Sequence, residues 1–225
     1  MVAAYMGLVG QVDYGIGLIL DELENQGLLE DTIIVFSADH GDYAGEHGLW
    51  SKIGGISSRA ITRIPMLLSF PGDVPSGRVS EEMVESVDLF PTLCDLAGLP
   101  KPDHLQGLSM FPLLTDDPQP MRESALTENA YSKALAMKEW RYIANAGDRP
   151  DELYDQINDP WEMNNLINDP KYTGVAQRFL RELLARVAYA RRPVTLFDKG
   201  GWQHKYDRDG RTHDPLTYLS KDTHI

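Results

Sequence analysis

Ile33-Ile34-Val35-Phe36-Ser37-Ala38-Asp39-His40-Gly41-Asp42 decides the reading of this chain. Four apolar, β-favouring residues lead straight into an acid and an imidazole. A short apolar run of this kind predicts a strand buried on both faces. Asp39 and His40 then fall just past its carboxyl end, the edge of an open α/β sheet where ligands bind. Gly41 allows a sharp turn after them. A carboxylate and an imidazole side by side at such a corner suit a divalent cation. An aspartate in this place also serves as the N-cap of a following element. Downstream, Glu46, His47 and Lys52 add a carboxylate, an imidazole and an ammonium.

Working outward, residues 2 to 24 predict an amphipathic helix. Val2, Met6, Val9, Val12, Ile16, Ile19, Leu20 and Leu23 recur at three- and four-residue steps, and Gly27 caps the end. The sequence opens inside this helix, so it reads as the second half of a crossover unit whose first strand is missing. Residues 63 to 70 predict a second core strand with Pro65 near its start, and residues 87 to 98 a short helix ending at Gly98. From about Arg122 the pattern changes to short segments of mixed polarity, 123 to 128, 134 to 137, 141 to 144 and 152 to 155. These suit a small antiparallel sheet. A helix over 172 to 190 carries a stripe of Val175, Phe179, Leu183, Leu184 and Val187 that reads as core. Arg178, Arg181, Arg186, Arg191 and Arg192 read as its solvated face. The expected division is an α/β part over 1–120, a small α+β subdomain over 121–192 and an extended tail over 193–225. The tail's Asp207-Arg208-Asp209-Gly210 lacks the remaining ligands of an EF-hand loop.

The chain has 225 residues, and 21 basic against 34 acidic side chains give a formal charge of −13. That balance argues against nucleic acid and anionic membrane surfaces as partners. An anionic substrate would need a metal or a local positive patch. The single cysteine, Cys94, excludes an intramolecular disulfide and reads as a buried thiol among Leu93, Leu96 and Ala97. No apolar run approaches membrane-spanning length and no signal peptide is evident; because the sequence opens inside a helix, these absences do not fix the compartment, and a cytoplasmic location is only slightly favoured.

The string Ser37-Ala38-Asp39-His40-Gly41-Asp42-Tyr43-Ala44-Gly45-Glu46-His47-Gly48-Leu49-Trp50-Ser51-Lys52 resembles the second signature of the sulfatase family, of the alkaline-phosphatase-like superfamily. The likeness continues through residues 87 to 98, through Leu105-Gln106-Gly107-Leu108-Ser109, and through Glu152-Leu153-Tyr154-Asp155 with Asp159-Pro160-Trp161-Glu162-Met163-Asn164-Asn165-Leu166. The last stretch reads as structural. The resemblance covers most of residues 1 to about 185 but only the C-terminal portion of a sulfatase.

The resemblance implies an α/β fold: part of a mainly parallel sheet with flanking helices, then the antiparallel subdomain. It implies hydrolysis of a sulfate monoester, with Asp39 and His40 as metal ligands and Lys52 as a catalytic residue contacting the sulfate and leaving-group oxygens. The metal is calcium, with manganese as the alternative. The family nucleophile is a formylglycine made from a Cys/Ser-x-Pro-Ser-Arg motif, and this chain has no such motif: Cys94 is followed by Asp-Leu-Ala-Gly. The two further acidic ligands also lack a counterpart. The expectation is therefore a truncated, metal-dependent sulfatase, inactive alone, whose substrate in the intact enzyme is a small anionic ester. Two alternatives stand beside it: a phosphonate monoester or phosphodiester hydrolase of the same superfamily, and a non-catalytic remnant that acts by binding or assembly. An uncovered helix over 2 to 24 would favour a homo-oligomer.

Overall fold

Residues 1–52, 57–102 and 104–190 are described in the computed structural model; the tail over 193–225 lies outside them. The chain opens with helix α1, Val2–Asn25. Its end follows from Gly27 at φ +67°, a left-handed position that glycine takes without strain. The Leu28 amide reaches back to Leu23 O at 2.9 Å and closes the last turn. The apolar stripe of α1 is uncovered: Met6, Val12 and Ile19 are about three-fifths exposed. At 24 residues α1 is long and apolar enough, by length and mean hydropathy, to cross a bilayer. A search for an uninterrupted apolar run misses it because Asp13 sits mid-helix. That carboxylate would cost about 2.5–3.5 kcal/mol at a bilayer centre.

Strand β1, Ile34–Ser37, follows and pairs with β2, Met66–Ser69. The pairing is antiparallel, from Ile34 opposite Ser69 to Ser37 opposite Met66. This differs from the expected mainly parallel arrangement. Among the described residues the intervening segment contains a 3-10 turn at Glu46–Gly48 and a one-turn helix, α2, Arg59–Thr62, not the covering crossover helix a parallel neighbour requires. Neither face of β1 is fully buried, against the expectation, and β2 is its only ladder partner among the described residues.

Helix α3, Leu89–Leu96, holds Cys94 as a buried free thiol. Asp88, at its start, is fully buried. It accepts from the Leu108 amide at 2.8 Å and the Glu85 amide at 2.7 Å, and pairs with Arg122 at 2.6 Å. Burial pushes the Asp88 carboxyl up and the Arg122 guanidinium opposes the shift. Arg122 also bonds Glu85 at 2.9 Å, and Arg186 joins Glu85 from the far helix. Arg186 is therefore a structural clamp and not part of a solvated face. Its carboxylate partner is nearly buried, where a charge survives only when paired.

The C-terminal unit is a four-stranded antiparallel sheet in the order β3 (Ala125–Glu128), β4 (Ser132–Ala136), β5 (Trp140–Asn145), β6 (Glu152–Asp155). Helix α4, Thr173–Ala190, lies across it. Side chains alternate strictly between faces. Leu135, Tyr142 and Leu153 meet Phe179 and Leu183 of α4 in one dry cluster. Their neighbours Ala134, Ile143 and Tyr154 form a second cluster on the opposite face. Arg141 and Ser132 lie on that second face by the same alternation. They place it against the segment after residue 57, where Ser57 and Ser132 hydroxyls are 2.7 Å apart.

Candidate metal centre

The β1 strand ends at Ser37, whose hydroxyl donates to Pro65 O at 2.9 Å and ties the corner to the start of β2. Two residues on, Asp39 projects into solvent, its side chain 83% exposed, while His40 is 34% exposed. Asp39 Oδ2 stands 3.3 Å from His40 Nε2. The other imidazole nitrogen, Nδ1, lies 2.8 Å from Gly41 O. A carbonyl oxygen only accepts, so Nδ1 carries the hydrogen and Nε2 presents its lone pair. Lys52 Nζ sits 2.8 Å from Nε2 and donates to it. A carboxylate oxygen and an imidazole lone pair thus converge beside one ammonium. Two acceptors this close repel unless a cation lies between or against them.

The donor set fits half of a metal centre. A histidine that gives its far N–H to a backbone carbonyl has the orientation of a metal ligand. The set is incomplete: among the described residues no cluster of three or more His, Cys, Asp or Glu side chains forms. Glu46 and His47 stay with each other, 3.9 Å apart, and His47 meets the edge of Tyr43. Asp42 is used locally, accepting from the Ala44 amide at 2.7 Å.

The loop that brings Lys52 back is wound through an unusual run of left-handed backbone. Ala44, Gly45, His47, Gly48 and Ser51 all have positive φ. Non-glycine residues there cost on the order of 1–3 kcal/mol each and persist only where the surroundings enforce them. Here Tyr43 is the anchor, 2% exposed. Burial pushes its phenol pKa up, with the Ser58 hydroxyl opposing.

Gly41 serves a different purpose from the expected turn. Its φ is not positive; instead a Cβ there would sit 1.9 Å from Ala60 O. Its amide donates to Ile61 O at 2.7 Å. Glycine is required because the backbone of α2 lies directly on it. The α2 segment is in turn held from the C-terminal sheet. Glu162 accepts from the Arg59 amide at 2.9 Å, Arg59 donates to Pro160 O at 2.5 Å, and Arg141 donates to Thr62 Oγ1 at 2.6 Å. Reading the sequence passed over Arg141 and Glu162. One signal was available: Arg141 is a charge inside an otherwise β-like Trp-Arg-Tyr-Ile run. Burial pulls the Arg141 guanidinium down and Glu162 opposes it.

Residues 45–189 match the family described as N-sulphoglucosamine sulphohydrolase, C-terminal. The chain belongs to the sulfatase family. It is 32% identical over 175 residues to a choline-sulfatase of Rhizobium meliloti, covering 75% of this chain and 33% of that protein. It is 31% identical to an N-acetylglucosamine-6-O-sulfatase of Bacteroides thetaiotaomicron, covering 80% and 34%. Its fold superposes with a TM-score of 0.76 on a phosphonate monoester hydrolase from Silicibacter pomeroyi, at 27% identity, covering 91% of this chain and 45% of that one. The chain therefore spans about a third to under a half of these relatives, and corresponds to their C-terminal portion. Within the sulfatase frame the structure brings together all three residues singled out for the site, Asp39, His40 and Lys52. It leaves Glu46 and His47 as a separate pair.

Proposed function

We propose that this chain supplies the C-terminal portion of a metal-dependent sulfatase site, in which Asp39 Oδ2 and His40 Nε2 bind a divalent cation and Lys52 contacts the sulfate ester. The observation that carries the reading is the convergence of those two donors, 3.3 Å apart, with Lys52 Nζ 2.8 Å from the imidazole. A bound cation would withdraw electron density from the ester oxygens and favour charge developing on them. The chain's own part is to hold the imidazole lone pair outward and to deliver an ammonium to the leaving-group side. Calcium fits the carboxylate and manganese the imidazole. The absence of a Cys/Ser-x-Pro-Ser-Arg motif from this sequence means that the chain alone lacks the formylglycine nucleophile.

The phosphonate monoester or phosphodiester reading is the second. The nitrogen donor of His40 supports it, because imidazole favours manganese over calcium.

Both readings are tested on the purified chain with Mn²⁺ as a paramagnetic probe. Selective broadening of the His40 ring resonances is expected, lost in Asp39→Ala, with calorimetry showing only weak Ca²⁺ uptake because two donors fall short of about six to eight. Unbroadened His40 resonances at saturating Mn²⁺ would remove the metal site. Release of p-nitrophenol from p-nitrophenyl sulfate by the chain alone would overturn the missing nucleophile.

A further inference from the structure

We infer that Arg141 and Glu162, buried in the C-terminal sheet unit, are positioning residues for the His40 imidazole and act on it through Gly41. The Gly41 residue is gripped on three sides. Its amide donates to Ile61 O at 2.7 Å, its Cα lies against Ala60 O, and its carbonyl receives His40 Nδ1 at 2.8 Å. The Gly41 amide follows α2, and Gly41 O, together with Lys52 Nζ at the other ring nitrogen, sets which imidazole nitrogen carries the hydrogen.

A single four-residue turn cannot hold its own place, since helix nucleation is unfavourable without outside contacts. The outside contacts come chiefly from Arg141 and Glu162, and Arg59 adds its own bond to Pro160 O. Arg141 Nη2 reaches Ser57 O at 2.5 Å and Thr62 Oγ1 at 2.6 Å, one residue before the turn's N-cap and on its last residue. Glu162 Oε2 accepts the Arg59 amide at 2.9 Å, while its Oε1 pairs with Arg141 Nε at 3.2 Å. The two are 4% and 5% exposed. Glu162 also holds a left-handed backbone, φ +55°, where glycine would be free of strain. Keeping a glutamate there makes sense if its carboxylate is needed at the N-terminus of α2. The path is continuous: sheet face, Arg141 and Glu162, α2, Gly41, His40. The metal readout below rests on the sulfatase reading; the positioning itself does not.

A buried ion pair of this kind could instead serve only to dock the sheet. The experiment therefore reads the imidazole directly, by ¹⁵N-detected NMR of the metal-free full chain. In the wild type His40 is expected as the Nδ1–H tautomer. Glu162→Ala should convert it to a mixture, while core resonances of Leu135 and Phe179 stay native, and Glu162→Gln should restore part of the wild-type pattern by keeping an acceptor for the Arg59 amide. Thr62→Val, which removes one Arg141 tether and the Thr62 hydroxyl's bond to Ser58 O at 3.0 Å while leaving the sheet intact, should move His40 in the same direction by less, and it decides the matter if Glu162→Ala does not fold. In Glu162→Ala the Mn²⁺ concentration that half-broadens His40 should rise about tenfold or more. An unchanged His40 tautomer in folded Glu162→Ala, or in Thr62→Val should that variant be the only one folded, overturns the positioning role. If the wild-type tautomer is as stated but Mn²⁺ does not broaden His40, the metal reading fails and the positioning stands.

Discussion

Two helices with apolar stripes lie near either end of the described chain, and their stripes meet different fates. On α4, Phe179 and Leu183 are 1% and 4% exposed, locked against Leu135, Tyr142 and Leu153. On α1, Met6, Val12 and Ile19 are 59%, 58% and 63% exposed. The patterns in sequence are of the same kind. The difference is that α4 has a sheet of matching period within reach, whereas the chief neighbour of α1 among the described residues is the turn that follows it. An amphipathic stripe states that a face needs covering and is silent about the cover. The C-terminal unit consequently owns a core, while α2 is tied to it through Arg141 and Glu162 and the start of α3 through Arg122.

The largest expected effect is at the centre of the owned core. Phe179→Ala should cost about 3–5 kcal/mol, read as a lowered midpoint in urea melts. A loss under about 1 kcal/mol would mean that the α4–sheet cluster does not carry the unit. Next comes the junction between the two parts. Asp88→Ala leaves Arg122 with one carboxylate instead of two and empties two amide bonds, at a cost of about 3 kcal/mol. The pairing of Asp88 with Arg122 across the junction predicts that α3 and the sheet lose protection from amide exchange together. Independent exchange of the two would break the junction argument. Far smaller is the same kind of apolar truncation on the open helix: Ile19→Ala should change stability by less than about 0.5 kcal/mol. A cost above about 1 kcal/mol would show that α1 is covered in solution, and concentration dependence of that cost would identify a second copy of the chain as the cover.

The legibility of the fold followed the same division. The four strands of the C-terminal sheet and α4 were readable because each pattern is completed by its neighbours in sequence: hairpin strands pair locally and α4 is the next long element after them. The direction of β1 and β2 was not readable. Their apolar runs have no alternation that distinguishes a parallel from an antiparallel partner, and the 28 residues between Ser37 and Met66 leave room for either. At the site, Asp39, His40 and Lys52 could be picked out because their chemistry is visible in the residue type. The support was hidden, since it is made of backbone groups. Gly41 looked like a turn glycine, and only the position of Ala60 O shows that its missing Cβ is the point. Glu162, in an Asp-Pro-x-Glu stretch, read as structural, but its partner could not be named. Its partner Arg59 is 103 residues away, a separation no local pattern reports.

The smallest effect concerns pH, at the turn that closes the C-terminal sheet. Asp155, at the end of β6, accepts from the Asn158 side-chain amide at 2.8 Å and from the Asn158 and Ile157 backbone amides at 3.0 Å each. These bonds favour the carboxylate and hold its pKa below the usual aspartate value, the Asn158 side chain contributing most. A depressed folded pKa means that the unfolded chain binds the proton more readily. The contribution is therefore present above the unfolded value of about 3.9 and is lost as pH falls through the lower folded one. Asp155→Asn should then be slightly less stable than the wild type at neutral pH, and the gap should close on acidification below about pH 4. The site is near the surface, so salt and water screen it and the gap stays small. Urea melts of both proteins across that range decide it. A gap that widens on acidification would mean that the turn is held by something other than the carboxylate. A gap accompanied by changed exchange in α1 would break the division between the self-contained sheet and the open helix.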